Sequence, residues 1–101
     1  MSDASCPTRV ETELVVRHPQ GLHARPAVEL VRAANAFQCR IRLQNLSRNG
    51  DLHNVKSLMD LLLAAVDHGH RVRLVAEGHD AHEAIQTLAA LINGAAPRME
   101  S

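Results

Sequence analysis

The chain has 101 residues, 46% of them apolar, which is enough for one domain with a single modest core. Eleven basic and eleven acidic residues cancel, so no overall field attracts nucleic acid or an anionic membrane. The only aromatic residue is Phe37, which leaves nothing with which to stack successive nucleobases.

The ends of the chain and its cysteines favour a cytoplasmic protein. No basic segment followed by an apolar core opens the sequence, and no apolar run reaches membrane-spanning length. Cys6 and Cys39 are isolated, which is typical of reduced thiols in the cytosol. We expect one folded domain over residues 10–94, between a disordered N-terminal tail over 1–9 and a flexible tail over 95–101.

The first strand and the first helix follow from periodicity and from one proline. β-Branched, roughly alternating residues predict a strand over 11–17, which is broken at 18–21. Pro26 lacks a backbone N–H group and is tolerated only in the first turn of a helix. The helix therefore begins just after His23 or Ala24. Its apolar face comprises Ala27, Leu30, Val31 and Ala34.

Three more strands are predicted downstream. Clean alternation predicts a strand over 39–44, and Asn49-Gly50 is a hairpin signal that leads to a short third strand over 51–54. Alternation over 71–76 predicts the fourth strand. Three of these strands show a polar face, so the sheet is covered on one side only. We expect an α+β fold, β-α-β-β-α-β-α, with a four-stranded antiparallel sheet and three helices on one face.

The last helix is predicted from its capping residues. The carboxylate of Asp80 stands at the N-cap position and Glu83 at N3, and Gly94 provides the stop.

The middle helix, over about 58–67, is apolar around most of its circumference. Such a helix is either fully buried or exposes a patch for another protein. Because a small domain can hardly bury a peripheral helix, we predict a docking patch centred on Met59. The other predicted docking residues are Leu58, Leu63 and Arg32. The alternative is that Met59 and Leu63 pack under the hairpin.

The stretch that carries chemistry is residues 21–27, Gly-Leu-His-Ala-Arg-Pro-Ala. A helix N-terminus presents free N–H groups and the positive end of the helix dipole, and so suits an anion. A phosphate on the imidazole of His23 would accept bonds from the backbone of Ala24 and Arg25 and from the Arg25 guanidinium. Imidazole attacks phosphorus only when neutral, and a helix N-terminus disfavours the imidazolium. No other catalytic side chain is expected here. The alternative is a surface histidine in a turn.

This stretch resembles the active-site motif of HPr, the histidine-containing phosphocarrier family of the bacterial phosphoenolpyruvate-dependent phosphotransferase system (PTS). The similarity runs over about 10–94 and includes two further HPr-like stretches, at 55–59 and 75–78. The resemblance implies the HPr open-faced β-sandwich. It also implies that His23 takes phosphate on Nδ1 and that Arg25 stabilises it.

By the same resemblance the chain accepts a phosphoryl group from enzyme I and passes it to IIA sugar-permease components. It would be a monomeric carrier with a phosphohistidine intermediate, without a cofactor, rather than a stand-alone turnover enzyme. Partners of HPr-like proteins dock on the middle helix, where Asp60 replaces a common cation. The hairpin around Asn49 is longer than in common HPr sequences, which predicts a protruding turn.

Ser57 has two interpretations. As an N-cap with Asp60 at N3 it forms a capping box for the middle helix. By resemblance it matches the serine that HPr kinase/phosphorylase modifies in many members, and a phosphate there would weaken docking by its charge.

Three other functions stay open. A carrier of the nitrogen-related branch or a catabolite co-regulator would bind a transcriptional regulator or a kinase. A small-ligand or metal-binding module would need the histidines around strand four to converge. These are His68, His70, His79 and His82. Turn and capping roles suffice for them, and we predict no metal site.

Overall fold

The computed structural model describes residues 8–93, which form one four-stranded sheet of order β1-β4-β2-β3 with every neighbouring pair antiparallel. The strands are β1 (Arg9–Val15), β2 (Arg40–Asn45), β3 (Leu52–Asn54) and β4 (Arg71–Glu77). The helices are α1 (Ala24–Ala34), α2 (Leu58–Leu63) and α3 (Ala81–Ile92). The element order and the α+β class confirm the prediction.

The core lies between one face of the sheet and the helices. Alternation sends Ile41 and Leu43 of β2 and Val72, Leu74 and Ala76 of β4 into this core, as predicted, and burial of a large apolar side chain contributes roughly 1.5–3 kcal/mol. Val75 is also buried, but on the opposite face of the sheet, beside Glu11 and Arg42. The largest fully buried side chains of the sheet and the helices are Ile41, Leu43, Leu74, Leu30, Leu61, Leu88 and Ile92.

The opposite face of the sheet carries arginines paired with glutamates across neighbouring strands. Glu77 accepts from Arg9 at 3.1 Å and from Arg42 at 3.0 Å, and Glu13 accepts from Arg71 at 3.1 Å. Exposed pairs of this kind add little stability, but they keep this face polar.

The N-terminal end of the domain differs by a few residues from the prediction. β1 begins at Arg9, which we had placed in the tail, and it ends at Val15. The rest of the expected tails, apart from Thr8, lies outside the described residues, as does Cys6. Cys39 is buried without a disulfide, and burial raises the pKa of its thiol to about 11, so the thiol stays protonated at neutral pH.

The predicted capping role of the Asp80 side chain is wrong. Asp80 occupies the N-cap position of α3, yet its carboxylate makes no bond to that helix. Instead it accepts from the backbone N–H groups of Gln38, at 2.8 Å, and Cys39, at 2.9 Å. The fold brings these two donors to Asp80, and they compete successfully with the helix. α3 ends at Ile92, and the predicted stop at Gly94 lies outside the described residues.

The turn between β2 and β3 is bonded to the beginning of β4. It contains a 3₁₀ helix, Leu46–Arg48, which ends at Asn49 in a left-handed conformation with φ 53°. The hydroxyl of Ser47 accepts from the backbone N–H of Arg71 at 2.8 Å, which holds the turn against the beginning of β4. β2 and β3 pair as a hairpin, as predicted, while the protrusion of the turn stays a prediction.

Helix α2 is shorter than predicted, because it ends at Leu63 and Ala65 has a left-handed φ of 52°. Val66 then turns inward and is buried, so it does not belong to the exposed circumference of the helix. The residues that follow form the loop to β4. Within residues 8–93, no helix has the length and apolarity needed to cross a membrane.

Candidate functional site

His23 lies at the N-terminus of α1, where the sequence predicts it. Its backbone is extended, with φ −123° and ψ 164°, and its side chain makes no capping bond to the helix. Pro26 lies in the first turn and is buried. The imidazole is 41% exposed, so it is accessible to a partner protein.

The beginning of α1 has the features expected of an anion site. The first N–H groups of a helix have no partner within it. Ala24 has a left-handed φ of 52°, a conformation that non-glycine residues hold only when their surroundings impose it. Arg25 is exposed and makes no ion pair with any residue in 8–93. The structure therefore places the predicted residues His23, Ala24 and Arg25 together at one helix end.

Asp67 is a site residue that the sequence analysis missed. Its Oδ1 lies 2.7 Å from Nε2 of His23, although 44 positions separate the two residues. The hydrogen bond from His23 holds the pKa of the Asp67 carboxyl below its usual range, with smaller contributions from the charges of His23 and His70. The expectation that His23 and Arg25 stand alone is therefore wrong. No local sequence signal marks Asp67, because the contact is made by two loops distant in the chain.

Gly21 allows these two loops to touch. Its φ is +65°, and a Cβ atom added there would lie 2.6 Å from the carbonyl oxygen of Val66 and 2.7 Å from Cα of Asp67. The next residue, Leu22, donates its backbone N–H to the same carbonyl of Val66 at 2.9 Å. The backbone before His23 is thus pressed directly against the backbone that carries Asp67.

Helix α2 carries an exposed apolar patch. Met59 is 77% exposed and Leu63 is 72% exposed, so they do not pack under the hairpin and that alternative is wrong. Leu58 and Leu62 are exposed to a smaller extent, and Leu61 alone is buried among the apolar residues of this helix. We refer to Leu58, Met59, Leu62 and Leu63 as the α2 patch.

Helix α1 packs against α2 and also carries exposed side chains. Val28 of α1 is exposed, and Arg32 is exposed in its last turn. Exposed apolar side chains and an exposed cation on two neighbouring helices are a combination typical of protein interfaces.

Ser57 is the N-cap of α2, as predicted. Its hydroxyl accepts from the backbone N–H of Asp60 at 3.3 Å. The Asp60 carboxylate does not return to Ser57, because it accepts from the backbone of Asn54 at 2.7 Å and pairs with Nδ1 of His53 at 2.8 Å. Only one half of the predicted capping box therefore forms. The hydrogen bond from His53 lowers the pKa of Asp60.

The histidines around β4 play separate roles. His70 is bonded within its own loop, whereas His68, His79 and His82 are exposed. In the described part of the chain, no three His, Cys, Asp or Glu side chains are grouped so that they could hold a metal ion.

Comparison with known proteins agrees with this arrangement. The sequence profile of a family described as "PTS HPr component phosphorylation site" matches residues 10–94. The chain is 45% identical over 80 residues to the multiphosphoryl transfer protein of Haemophilus influenzae, an alignment that covers 78% of this chain and 16% of that protein. It is 40% identical over 83 residues to the HPr-like protein Crh of Bacillus subtilis, covering 82% of this chain and 94% of Crh.

A solved structure has the same fold. The phosphocarrier protein HPr of Bacillus anthracis superposes with a TM-score of 0.78 at 34% identity, covering 83% of this chain and 96% of that one. The chain spans only 16% to 23% of the length of the first multiphosphoryl transfer proteins that it matches. With the profile match, the relatives and the fold in agreement, the chain belongs to the HPr family of PTS phosphocarriers.

Proposed function

We propose that this phosphocarrier takes its phosphoryl group on Nδ1 of His23, receives it from enzyme I and passes it to IIA components of sugar permeases. The observation that carries the proposal is an exposed imidazole at the N-cap of α1, where the first backbone N–H groups of the helix and the exposed Arg25 are available to an anion.

The transfer is a displacement at phosphorus. The lone pair of Nδ1 forms the new N–P bond, the bond from phosphorus to the donor atom breaks, and its electron pair remains with the donor. The N–H groups of Ala24 and Arg25 and the Arg25 guanidinium stabilise the phosphoryl oxygens. The reverse displacement delivers the group to the next partner.

The phosphoryl group of a carrier must survive until that partner arrives. The only carboxylate paired with His23 among the described residues is that of Asp67. Because Oδ1 of this carboxylate is engaged by Nε2 of His23 at 2.7 Å, that oxygen is not free to take a proton from water. This property favours a carrier over a hydrolase.

The α2 patch is the proposed docking surface for both donor and acceptor. Met59 and Leu63 offer exposed apolar contacts, and Arg32 offers an exposed cation on the neighbouring helix α1. Ser57 caps the same helix, so phosphorylation of Ser57 by HPr kinase/phosphorylase would place two negative charges beside Leu58 and weaken docking. We propose that the protein acts in the cytoplasm as a monomer.

The test is phosphorylation by enzyme I and phosphoenolpyruvate, followed by detection of acid-labile phosphate on the protein. The variant His23→Ala is expected to accept none, while its circular dichroism stays that of the wild type, because His23 is half exposed and makes no core contact.

The matched control is His82→Ala, which removes another exposed histidine, on α3. We expect this variant to be phosphorylated like the wild type. Retention of acid-labile phosphate by His23→Ala would refute the proposal.

A further inference from the structure

We infer that Asp67 is a positioning residue for His23: its carboxylate keeps the neutral imidazole protonated on Nε2 and leaves the lone pair on Nδ1. The role of this lone pair in phosphoryl transfer rests on the proposed function. The assignment of the ring proton does not, and it is tested separately below.

The short contact between the two side chains determines where the proton lies. An ionised carboxylate can only accept hydrogen bonds, so at 2.7 Å the ring must donate from Nε2 to Oδ1. A neutral imidazole has one ring proton, and with that proton on Nε2 its other nitrogen, Nδ1, is a free base. A hydrogen bond to an ionised acceptor is also stronger than one to water or to a carbonyl group.

Asp67 is itself held in place by a turn. The backbone N–H of His70 donates to the carbonyl oxygen of Asp67 at 3.1 Å, and the N–H of Asp67 donates to Nδ1 of His70 at 3.1 Å. The amide of Asn45 donates to the same Nδ1 at 3.1 Å and to the carbonyl oxygen of Ala64 at 3.0 Å. Asn45 is only 1% exposed. The contact with His23 is therefore made by a supported loop.

The same loop is attached to the chain segment that leads to His23. Gly69 donates its N–H to the carbonyl of Val16 at 2.8 Å, and Val16 donates to the carbonyl of His70 at 2.9 Å. Further along, Leu22 donates to Val66 at 2.9 Å. Because both ends of the Asp67 loop are bonded to the β1–α1 connection, backbone contacts hold the loop of Asp67 close to the segment that leads to His23.

This geometry serves both directions of transfer. When Nδ1 forms the N–P bond, the proton remains on Nε2 and the ring becomes positively charged. The Asp67 carboxylate lies beside that proton and stabilises the charge. When the N–P bond breaks, its electron pair returns to Nδ1 and the ring is neutral again. No proton is taken up or released by the ring in either step.

The experiment measures the tautomer directly. Protein labelled with ¹⁵N in its histidine rings is examined by long-range ¹H–¹⁵N correlation at a pH where His23 is neutral. In the wild type we expect one tautomer, protonated on Nε2. In Asp67→Ala we expect the mixture of tautomers of a solvated histidine. The control Asp51→Ala removes an exposed aspartate in the β2–β3 hairpin and is expected to match the wild type.

The same proteins are then phosphorylated by enzyme I under single-turnover conditions. The pair is half exposed, so we expect acceptance by Asp67→Ala to be about three- to tenfold slower, with an unchanged melting temperature. A wild-type tautomer distribution in Asp67→Ala would overturn the inference, and so would a wild-type rate. If wild-type protein accepted no phosphoryl group, the proposed function would fail, while the tautomer measurement would still decide where Asp67 keeps the ring proton.

Discussion

At the scale of single residues, the site depends on a close approach between two backbones. His23 reaches Asp67 because Gly21 has no side chain where its Cα faces Val66 and Asp67. The geometry of the functional pair is therefore set two residues before the histidine, at a position with no chemistry of its own.

Replacement of Gly21 by alanine tests this dependence. Gly21→Ala adds both the strain of a positive φ and a contact of 2.6 Å with a backbone atom. We expect a loss of about 2–4 kcal/mol in the free energy of unfolding, measured in urea. Phosphoryl acceptance by the folded fraction should also fall.

Gly69→Ala is the matched control, since Gly69 has a φ of +89° but no heavy atom within 4 Å of the added Cβ. It should lose only about 1–2 kcal/mol, which is the cost of left-handed backbone in a non-glycine residue. Equal losses for the two variants would show that the contact with Val66 is unimportant.

The sequence alone predicts the position of His23 but not the presence of Asp67 beside it. Pro26 restricts the helix start by a local rule to just after His23 or Ala24, and the structure has His23 at the N-cap. No local rule of this kind predicts that Asp67 lies beside His23. It reaches His23 through a turn held by His70 and Asn45, and no part of that arrangement is local in sequence.

At the scale of elements, Asp80 connects two parts of the fold that the sequence does not show as neighbours. The sequence pattern predicts an N-cap, and Asp80 does stand at the beginning of α3. Its carboxylate nevertheless accepts from the backbone before β2, because two N–H groups converge there. Element types were predictable from periodicity, but the partners of their end residues depend on tertiary contacts.

The Asp80 connection makes stability depend on pH. The backbone hydrogen bond from Gln38 is the largest of the effects that lower the pKa of Asp80. The folded state thus binds this proton less tightly than the unfolded state does. Stabilisation by the carboxylate is present above the ordinary aspartate pKa of about 4 and is lost as pH falls through the lower folded pKa.

We therefore expect Asp80→Asn to melt at a lower temperature than the wild type at pH 7, and the difference to shrink as the pH falls below about 4. Differential scanning calorimetry against pH measures this effect. The control Asp51→Asn should melt at the same temperature as the wild type, both at pH 7 and below about pH 4. A difference in melting temperature between Asp80→Asn and the wild type that stays constant with pH would exclude a contribution from the Asp80 charge.

Helix α2 shows a second limit of sequence patterns. Its apolar run continues through Val66, and this continuity predicted a longer helix. The helix instead ends at Leu63, and the left-handed backbone of Ala65 is followed by Val66, which is buried in the core. The exposure of Met59 and Leu63 was nevertheless predictable, because a short peripheral helix has too little protein around it to cover every side.

At the scale of the whole molecule, the two faces of the sheet have different surroundings. Helices cover one face, and arginine–glutamate pairs cover the other. Helix α2, which carries the exposed apolar side chains, packs against α1, and the chain that follows α2 carries Asp67, the partner of His23.

A charge placed on the α2 patch tests the docking proposal. We expect Met59→Asp or Leu63→Asp to raise the KM for phosphorylation by enzyme I about tenfold or more, because truncation of an interface anchor costs that much affinity. Stability should change by less than about 0.5 kcal/mol, since both side chains are exposed.

The control Val15→Asp adds the same charge to an exposed apolar residue at the end of β1, on the arginine–glutamate face. It should leave the KM unchanged. If Val15→Asp and Met59→Asp raised the KM equally, net charge rather than the α2 patch would be responsible.

The central claim is that one nitrogen, Nδ1 of His23, carries the phosphoryl group. The most direct measurement is ³¹P–¹⁵N correlation on histidine-labelled protein after incubation with enzyme I and phosphoenolpyruvate. We predict a single N–P coupling, assigned to Nδ1 of His23, with the ring proton still on Nε2 facing Asp67. A coupling to Nε2, or phosphate on any other residue, would contradict the account.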